Sequence, residues 1–381
     1  MRRREVASAL ALLSRQALPS LLSIALALLV CFFAIALSKS DFAVAADAYL
    51  QMLWGGLGDL PTFFATGNWA LLTRAWGESA AKAALLTFTG LAVSVAFCVG
   101  LFNIGAQGQM TVGAIVAAVI GAKLRAPPGI HPILAVAGAA GAGALYALLP
   151  AVLKLRRGVH EVISTIMLNW VAVSLVENWL VVGPLRATAS GDLSRSGTDE
   201  ILRTAELPRI LGSLSRLNAG FVLALVAALG VWFWLKRTSH GFEARAVGLG
   251  MEAARTAGID VRRRVYQAMV LAGALAGTAG AVWVLGTEYK FPATVGAPYG
   301  FDGIAISLIG QNHPLGVCAA ALFFGVLRAG GTRMQLLGVH KSFPELIQGL
   351  ALLFVAGRLI WERFLGSGAK PRAAPIETTR A

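Results

Sequence analysis

Leu101-Phe-Asn-Ile-Gly-Ala-Gln-Gly-Gln-Met110 sets two glycines and three amides between apolar runs, with no charge inside it. A membrane-crossing helix needs about 20 mostly apolar residues to span about 30 Å of hydrocarbon. The runs on either side, at about 81–101 and 104–122, meet that requirement. Non-helical backbone at membrane depth persists only where protein buries it or water lines it. The stretch therefore reads as a break that faces a pathway rather than lipid. A second such place is Tyr299-Gly-Phe-Asp-Gly303, which opens an apolar segment at about 299–310 too short to cross unaided.

Outward from these two breaks, further apolar segments lie at about 18–38, 131–153, 161–182, 219–235, 265–286, 315–330 and 344–362. The fold class is all-α, a polytopic membrane protein of about ten segments that include broken or re-entrant helices. Composition agrees: 57% of the 381 residues are hydrophobic and 14% charged, against roughly 45–50% and 25% in soluble domains, which excludes an ordinary water-soluble enzyme. The net charge of +14 is dispersed in short clusters between apolar runs. A nucleic-acid binder gathers its charge on one solvated face, so no nucleic-acid partner is expected.

The basic clusters instead mark sidedness, because Lys and Arg concentrate in cytoplasmic loops. Arg2, Arg3, Arg4 and Arg15 place residues 1–17 in the cytoplasm, ahead of an uncleaved anchor whose core exceeds the 7 to 15 residues usual in a signal peptide. Lys154, Arg156 and Arg157 mark a second cytoplasmic turn. The most basic loop, about 237–264, carries Arg245, Arg255, Arg262, Arg263 and Arg264. Residues 39–80, with Asp41, Asp47, Asp59 and Glu78, fall on the outer side, as does the stretch from Pro184 to Asn218 by alternation. The transmembrane domain is thus 18–362, and 363–381 reads as a disordered cytoplasmic tail. An arrangement with both termini inside satisfies these cues.

If the segment at about 81 starts one half and that at about 265 starts another, each half has four segments, with the interrupted one second. The halves enter from opposite sides, the pattern of an inverted repeat, whose interrupted helices point to a transport path. Candidates to line that path are Phe102, Asn103, Gln107, Gln109, Asn169, Phe301 and Asp302. Amides suit a polar neutral solute, since they bind without holding it as a fixed charge would. Asp302 has two readings that stay open, a contact to substrate hydroxyls or a cap on its short helix. Gly273, Gly277 and Gly280, with Ala276, read as a face for close helix packing.

No G-x-x-x-x-G-K-S/T phosphate loop occurs, and the five histidines and three cysteines have no metal-ligand spacing. No enzyme activity, metal or cofactor is expected on this chain. Within the basic loop, Met251 to Ala257 favours a short helix with Gly258 as its stop.

Several stretches together resemble the permease subunits of bacterial ATP-binding-cassette importers. They are Phe102-Asn-Ile-Gly-Ala-Gln-Gly-Gln109, Glu161-Val-Ile-Ser-Thr-Ile-Met-Leu-Asn169, Arg245-Ala-Val-Gly248, Glu252-Ala253-Ala254 with Gly258, Gly300-Phe-Asp-Gly-Ile-Ala305 and Asn312-His-Pro314. Over roughly 80–355 their order is most similar to the nucleoside and simple-sugar branch of the branched-chain amino acid and simple-sugar permeases. The resemblance implies that Arg245, Gly248, Glu252, Ala253, Ala254 and Gly258 form the loop that grips an ATPase, on which ATP and Mg are bound. It further implies a second homologous permease chain and an extracytoplasmic substrate-binding lipoprotein. Gln107 stands where many relatives have a glutamate. The implied solute is a nucleoside first, a simple sugar second and a branched-chain amino acid third. A gradient-driven secondary carrier of a small polar solute would share the broken helices and remains the alternative.

Overall fold

The computed structural model describes residues 2–187, 197–212, 215–294, 298–340 and 342–357, with side chains from Ser20 onward. The tail at 363–381, and Asp192 and Arg195 of the 184–218 stretch, lie outside the described residues. The elements are α1 (Arg2–Lys39), α2 (Phe42–Leu57), α3 (Leu60–Thr66), α4 (Trp69–Cys98), α5 (Ala106–Lys123), α6 (Ile130–Arg157), α7 (Glu161–Val173), α8 (Ala219–Arg237), α9 (Ser239–Leu249), α10 (Met251–Thr256), α11 (Val261–Trp283), α12 (Tyr299–Ile309), α13 (Pro314–Met334) and α14 (Phe343–Ala356). Two of them run on as π-helix, α7 through Ser174–Leu180 and α11 through Val284–Glu288. Seven of these helices are long and apolar enough to cross a membrane, and α12 and α14 are shorter apolar helices. All ten segments expected from the sequence are helical where described.

Residues 39–80, which the sequence marks only as an outer-side stretch, are folded into helices. The chain there forms α2, α3 and the first turns of α4, which begins at Trp69 rather than near 81. Two of the acidic residues that mark the outer side, Asp41 and Asp59, are helix caps, as is Asn68. Asp41 accepts from the Ala43 amide, Asp59 from Thr62 and Asn68 from Ala70, each satisfying a donor that a helix start leaves orphaned. Beyond its cap α2 packs on α13, where a side chain on Gly56 would overlap Val326 and one on Gly330 would overlap Met52.

The bundle has two distinguishable ends. At one end α9 and α10 meet the C-terminus of α4, where Gly248 lies against the Cys98 carbonyl. That end also holds the start of α13, since the Ser94 hydroxyl donates to Asn312 O at 2.7 Å. Ser20 of α1 lies there too, accepting from Gln311 Nε2 at 3.3 Å. At the opposite end Arg333 of α13 faces Asp59 at 3.7 Å.

Helix directions and contacts carry the inverted repeat. α4 runs toward the α9–α10 end and α11 runs away from it. α11 packs chiefly on α6 and α5, and its counterpart α4 packs on α13 and α12, the helices that hold the matching places in the other half. The α5–α7 contact has its match in α12–α14. Small residues permit both seams. Gly273 and Gly277 of α11 lie against Gly143 and Ala139 of α6, while Gly325 of α13 lies against Ser79 and Ala83 of α4. Between helices already out of water, such close backbone approach supplies the packing that stabilises association.

Candidate functional site

The break after α4 is closed by side-chain amides. Gly100 turns the chain with φ +74, and the backbone then crosses to α5 without helical hydrogen bonds of its own. Asn103 Oδ1 accepts from the Gly105 amide at 3.0 Å, and the Asn103 and Gln109 amides bond each other reciprocally at 3.2 Å. From α7, Asn169 Oδ1 accepts from Gly108 N at 2.8 Å while its Nδ2 donates to Ile104 O at 2.7 Å. All four first-turn N–H groups of a helix lack internal partners, so these amides answer groups that would otherwise be buried and unpaired.

The second interrupted helix meets the first head to head. Gly300, second residue of α12, donates its amide to the side chain of Gln107, second residue of α5, at 2.7 Å. A side chain on Gly300 would overlap the backbone at Ala106 and Gln107, so the two N-termini touch. Asn103, Gln107, Gln109 and Asn169 are all buried. In this conformation each is engaged with backbone groups or with another of the amides at the breaks. Phe102 packs edge-on against Phe97 with ring centroids 4.9 Å apart, whereas Phe301 is 39% exposed.

Asp302 does not cap α12, which follows Pro298 without a side-chain cap. It pairs instead with Arg328 of α13, Nη2 to Oδ2 at 2.7 Å, and accepts from Gln348 Nε2 of α14 at 3.1 Å. The Arg328 guanidinium also sits over the Tyr299 ring at 5.3 Å, and the Arg328 carbonyl accepts from Lys82 of α4 at 3.2 Å. Three helices thus converge on the start of α12. Sequence reasoning singles out Asp302 and passes over Arg328. The signal was present: an arginine inside an apolar run is itself a functional-site candidate whose partner should be sought.

The basic loop is a folded unit of two helices. α9 begins at Thr238, whose hydroxyl accepts from Gly241 N at 3.1 Å. α10 follows after Gly250, and Gly258 (φ +82) terminates it, as the sequence predicts. Arg264 of α11 is buried and binds Glu243 of α9, Nε to Oε2 at 2.7 Å, fixing the unit to the body. Ala254 is buried under it, Arg245 is half-buried, and Ala253 and Gly258 are exposed. The Glu252 side chain is 82% exposed beside Arg255 at 3.3 Å. Gly248 joins this unit to the break, with Cys98 O and Gly100 N against its Cα. Nearby, burial first and the charge of Lys236 second hold the His313 imidazole below its ordinary pKa. Among the described residues no group of His, Cys, Asp and Glu could hold a metal ion.

Residues 76–356 match the family described as Branched-chain amino acid transport system / permease component. The chain belongs to this family. Its matched region runs from α4 to the end of α14, both halves of the inverted repeat with the loop between them. The permease is 39% identical to the guanosine ABC transporter permease protein NupP of Bacillus subtilis, over 74% of this chain and 80% of that one. It is 33% identical to a glucose ABC transporter permease protein of Haloferax volcanii, covering 77% and 79% of the two chains. A nucleoside ABC transporter permease protein of Lactococcus lactis, NupB, is 30% identical over 81% of this permease and 85% of its own length. Residues 1–75, with α1, α2 and α3, lie outside the family match.

Proposed function

We propose that this permease is one of two homologous membrane subunits of an ATP-binding-cassette importer that carries a nucleoside into the cytoplasm, with a simple sugar as the second choice of solute. The α9–α10 unit faces the cytoplasm and seats an ATPase around Glu252, Ala253 and Gly258. An extracytoplasmic lipoprotein delivers solute at the opposite end. The observation that carries the mechanism is the contact of Gly248 with Cys98 and Gly100. A push on α10 has no slack to absorb it, because Arg264 ties α9 to α11 and Gly248 abuts the break.

Closing of the partner ATPases around ATP would therefore displace the α4–α5 break and, through Gln107 and Gly300, the start of α12. The amide pairs that now close the breaks would exchange partners with solute. Neutral amide bonds are weak enough to be remade in each cycle, at about 0.5–1.5 kcal/mol net apiece, and this permits release. The nucleoside assignment draws on the names of two of the relatives and the sugar assignment on the third.

The test is to tag the chain in its native membrane, extract it in mild detergent and identify what co-purifies in stoichiometric amounts. The complex is then reconstituted and assayed for ATP-dependent uptake of labelled guanosine and glucose. An ATPase, a second polytopic chain and guanosine uptake are the expected result. A lone chain whose uptake collapses with a protonophore would overturn the reading in favour of a gradient-driven carrier.

A further inference from the structure

The cluster at the start of α12 carries more hydrogen-bonding capacity than it uses. Arg328 Nη2 and Asp302 Oδ2 lie 2.7 Å apart as an ion pair, but out of line for a hydrogen bond. Arg328 Nε and Gln348 Oε1 are likewise buried without a hydrogen-bond partner among the described residues. Asp302 Oδ1 alone is answered, by Gln348 Nε2 at 3.1 Å. Arg264 shows the contrast. Its side chain is 7% exposed, as is that of Arg328, yet it bonds Glu243 through Nε and Gln267 through Nη1. A buried polar network that is only half satisfied is less stable than an apolar core of the same shape. A cluster kept for packing alone closes its own bonds, and this one does not.

The open atoms are of both kinds. Arg328 brings N–H donors, while Gln348 Oε1 and Asp302 Oδ2 are acceptors, and a hydroxyl is the group that both donates and accepts. The ion pair leaves the set without net charge, so a lone anion or cation meets its own sign on one side. Both solutes proposed above, a nucleoside and a simple sugar, carry hydroxyls on adjacent ring carbons. The cluster also straddles the element that moves. Asp302 belongs to α12, just beyond the Gly300 amide that Gln107 accepts, whereas Arg328 and Gln348 belong to α13 and α14. Glu345 of α14, 51% exposed at its side chain, stands 4.0 Å from Arg328 Nη2, so the cluster lies one side chain below the surface of this chain.

We infer that Asp302, Arg328 and Gln348 are a binding site for the adjacent ring hydroxyls of the transported solute, opened when α12 draws away from α13 and α14. The inference rests on the importer reading. A buried water serving the fold alone is the competing occupant, and it carries no dependence on the hydroxyls of the solute.

The experiment reconstitutes the complex in proteoliposomes with its co-purifying binding protein, loaded with labelled guanosine, 2′-deoxyguanosine or 3′-deoxyguanosine. Each solute is raised until the binding protein is saturated, which removes that protein's own preference from the comparison. If the complex carries glucose instead, 2-deoxyglucose and 3-deoxyglucose take the place of the deoxynucleosides. The unmodified complex should move the parent solute about tenfold faster than at least one deoxy analogue, the effect of one lost hydrogen bond. Gln348→Leu and Arg328→Lys should slow the parent solute to about the rate of that analogue and leave the analogue nearly unaffected. Recovery of each variant with its ATPase and second permease at the normal ratio verifies folding. Equal rates for parent and both analogues in the unmodified complex would overturn the inference, whether or not the variants assemble. So would an equal slowing of all three solutes by Gln348→Leu, the mark of a purely structural role. If no ATPase associates with the unmodified chain, or uptake does not need ATP, the importer reading itself fails; if ATP-driven uptake ignores the hydroxyls, only the hydroxyl site fails.

Discussion

Asn169 shows what one side chain does at a helix break. It both accepts from Gly108 N, which is buried, and donates to Ile104 O, which is partly buried. Asn169→Leu leaves a donor and an acceptor stranded, at about 1–3 kcal/mol each. The thermal midpoint of the detergent-purified complex should fall by several degrees, and an unchanged midpoint would show that the break is not held this way. The Asp302–Arg328 pair gives a sharper contrast. Removing one member of a buried pair costs about 3–5 kcal/mol, whereas replacing both by apolar residues is often nearly neutral. Arg328→Met alone should therefore destabilise strongly, and Asp302→Leu combined with Arg328→Met should recover most of the loss in the same melt. Independent, additive losses would mean that the two groups do not act as a pair. That Asn103, Gln107, Gln109 and Asn169 matter was legible, because an amide inside an apolar run is costly to bury unless a partner or a solute answers it. Their bonding partners were not legible, since nothing in residue spacing says which of several orphaned amides a side chain from another helix will reach.

At the scale of elements, α10 is where the sequence and the structure agree most closely. The stretch Met251 to Ala257 with Gly258 as stop becomes a helix over Met251–Thr256, ended by a left-handed glycine. Gly258→Val forces a branched side chain into that conformation at a cost of about 1–2 kcal/mol, enough to fray a helix this short. Glu252→Arg leaves the helix intact but reverses the charge it presents. Both variants should accumulate normally in the membrane and show reduced solute uptake per ATP hydrolysed, with Glu252→Arg the more severe. Normal uptake by Glu252→Arg, measured in right-side-out vesicles, would remove the coupling role from α10. α9 was hidden because Ser239–Leu249 is short and carries Gly241 and Gly248, which lower its helix propensity. α2 and α3 were hidden because Asp41 and Asp59 read equally as aqueous markers and as caps, and for α2 only its packing on α13 decides between them.

The whole molecule is ordered by its inverted halves. In sequence the repeat was visible only as two interrupted segments in second place, without residue-level similarity between the halves. The packing supplies what was missing: α4 with α13 and α12 mirrors α11 with α6 and α5. Gln107 meets Gly300 where the two short helices abut, so neither half can shift its broken helix without the other feeling it. Inversion makes a strong claim about topology that labelling can test. The turn after α6 lies at the α9–α10 end, since α6 runs antiparallel to α11 along the Gly143–Gly273 seam. The equivalent turn after α13, at exposed Leu336, lies at the other end beside Lys39. With Cys31, Cys98 and Cys318 replaced by alanine, Leu336→Cys should react with a membrane-impermeant maleimide in intact spheroplasts. Arg157→Cys, also exposed, should react only after lysis, as should Glu252→Cys. Labelling of Arg157→Cys and Leu336→Cys from the same side would show that the halves are not inverted, and the head-to-head meeting of α5 and α12 could not then serve as a shared hinge.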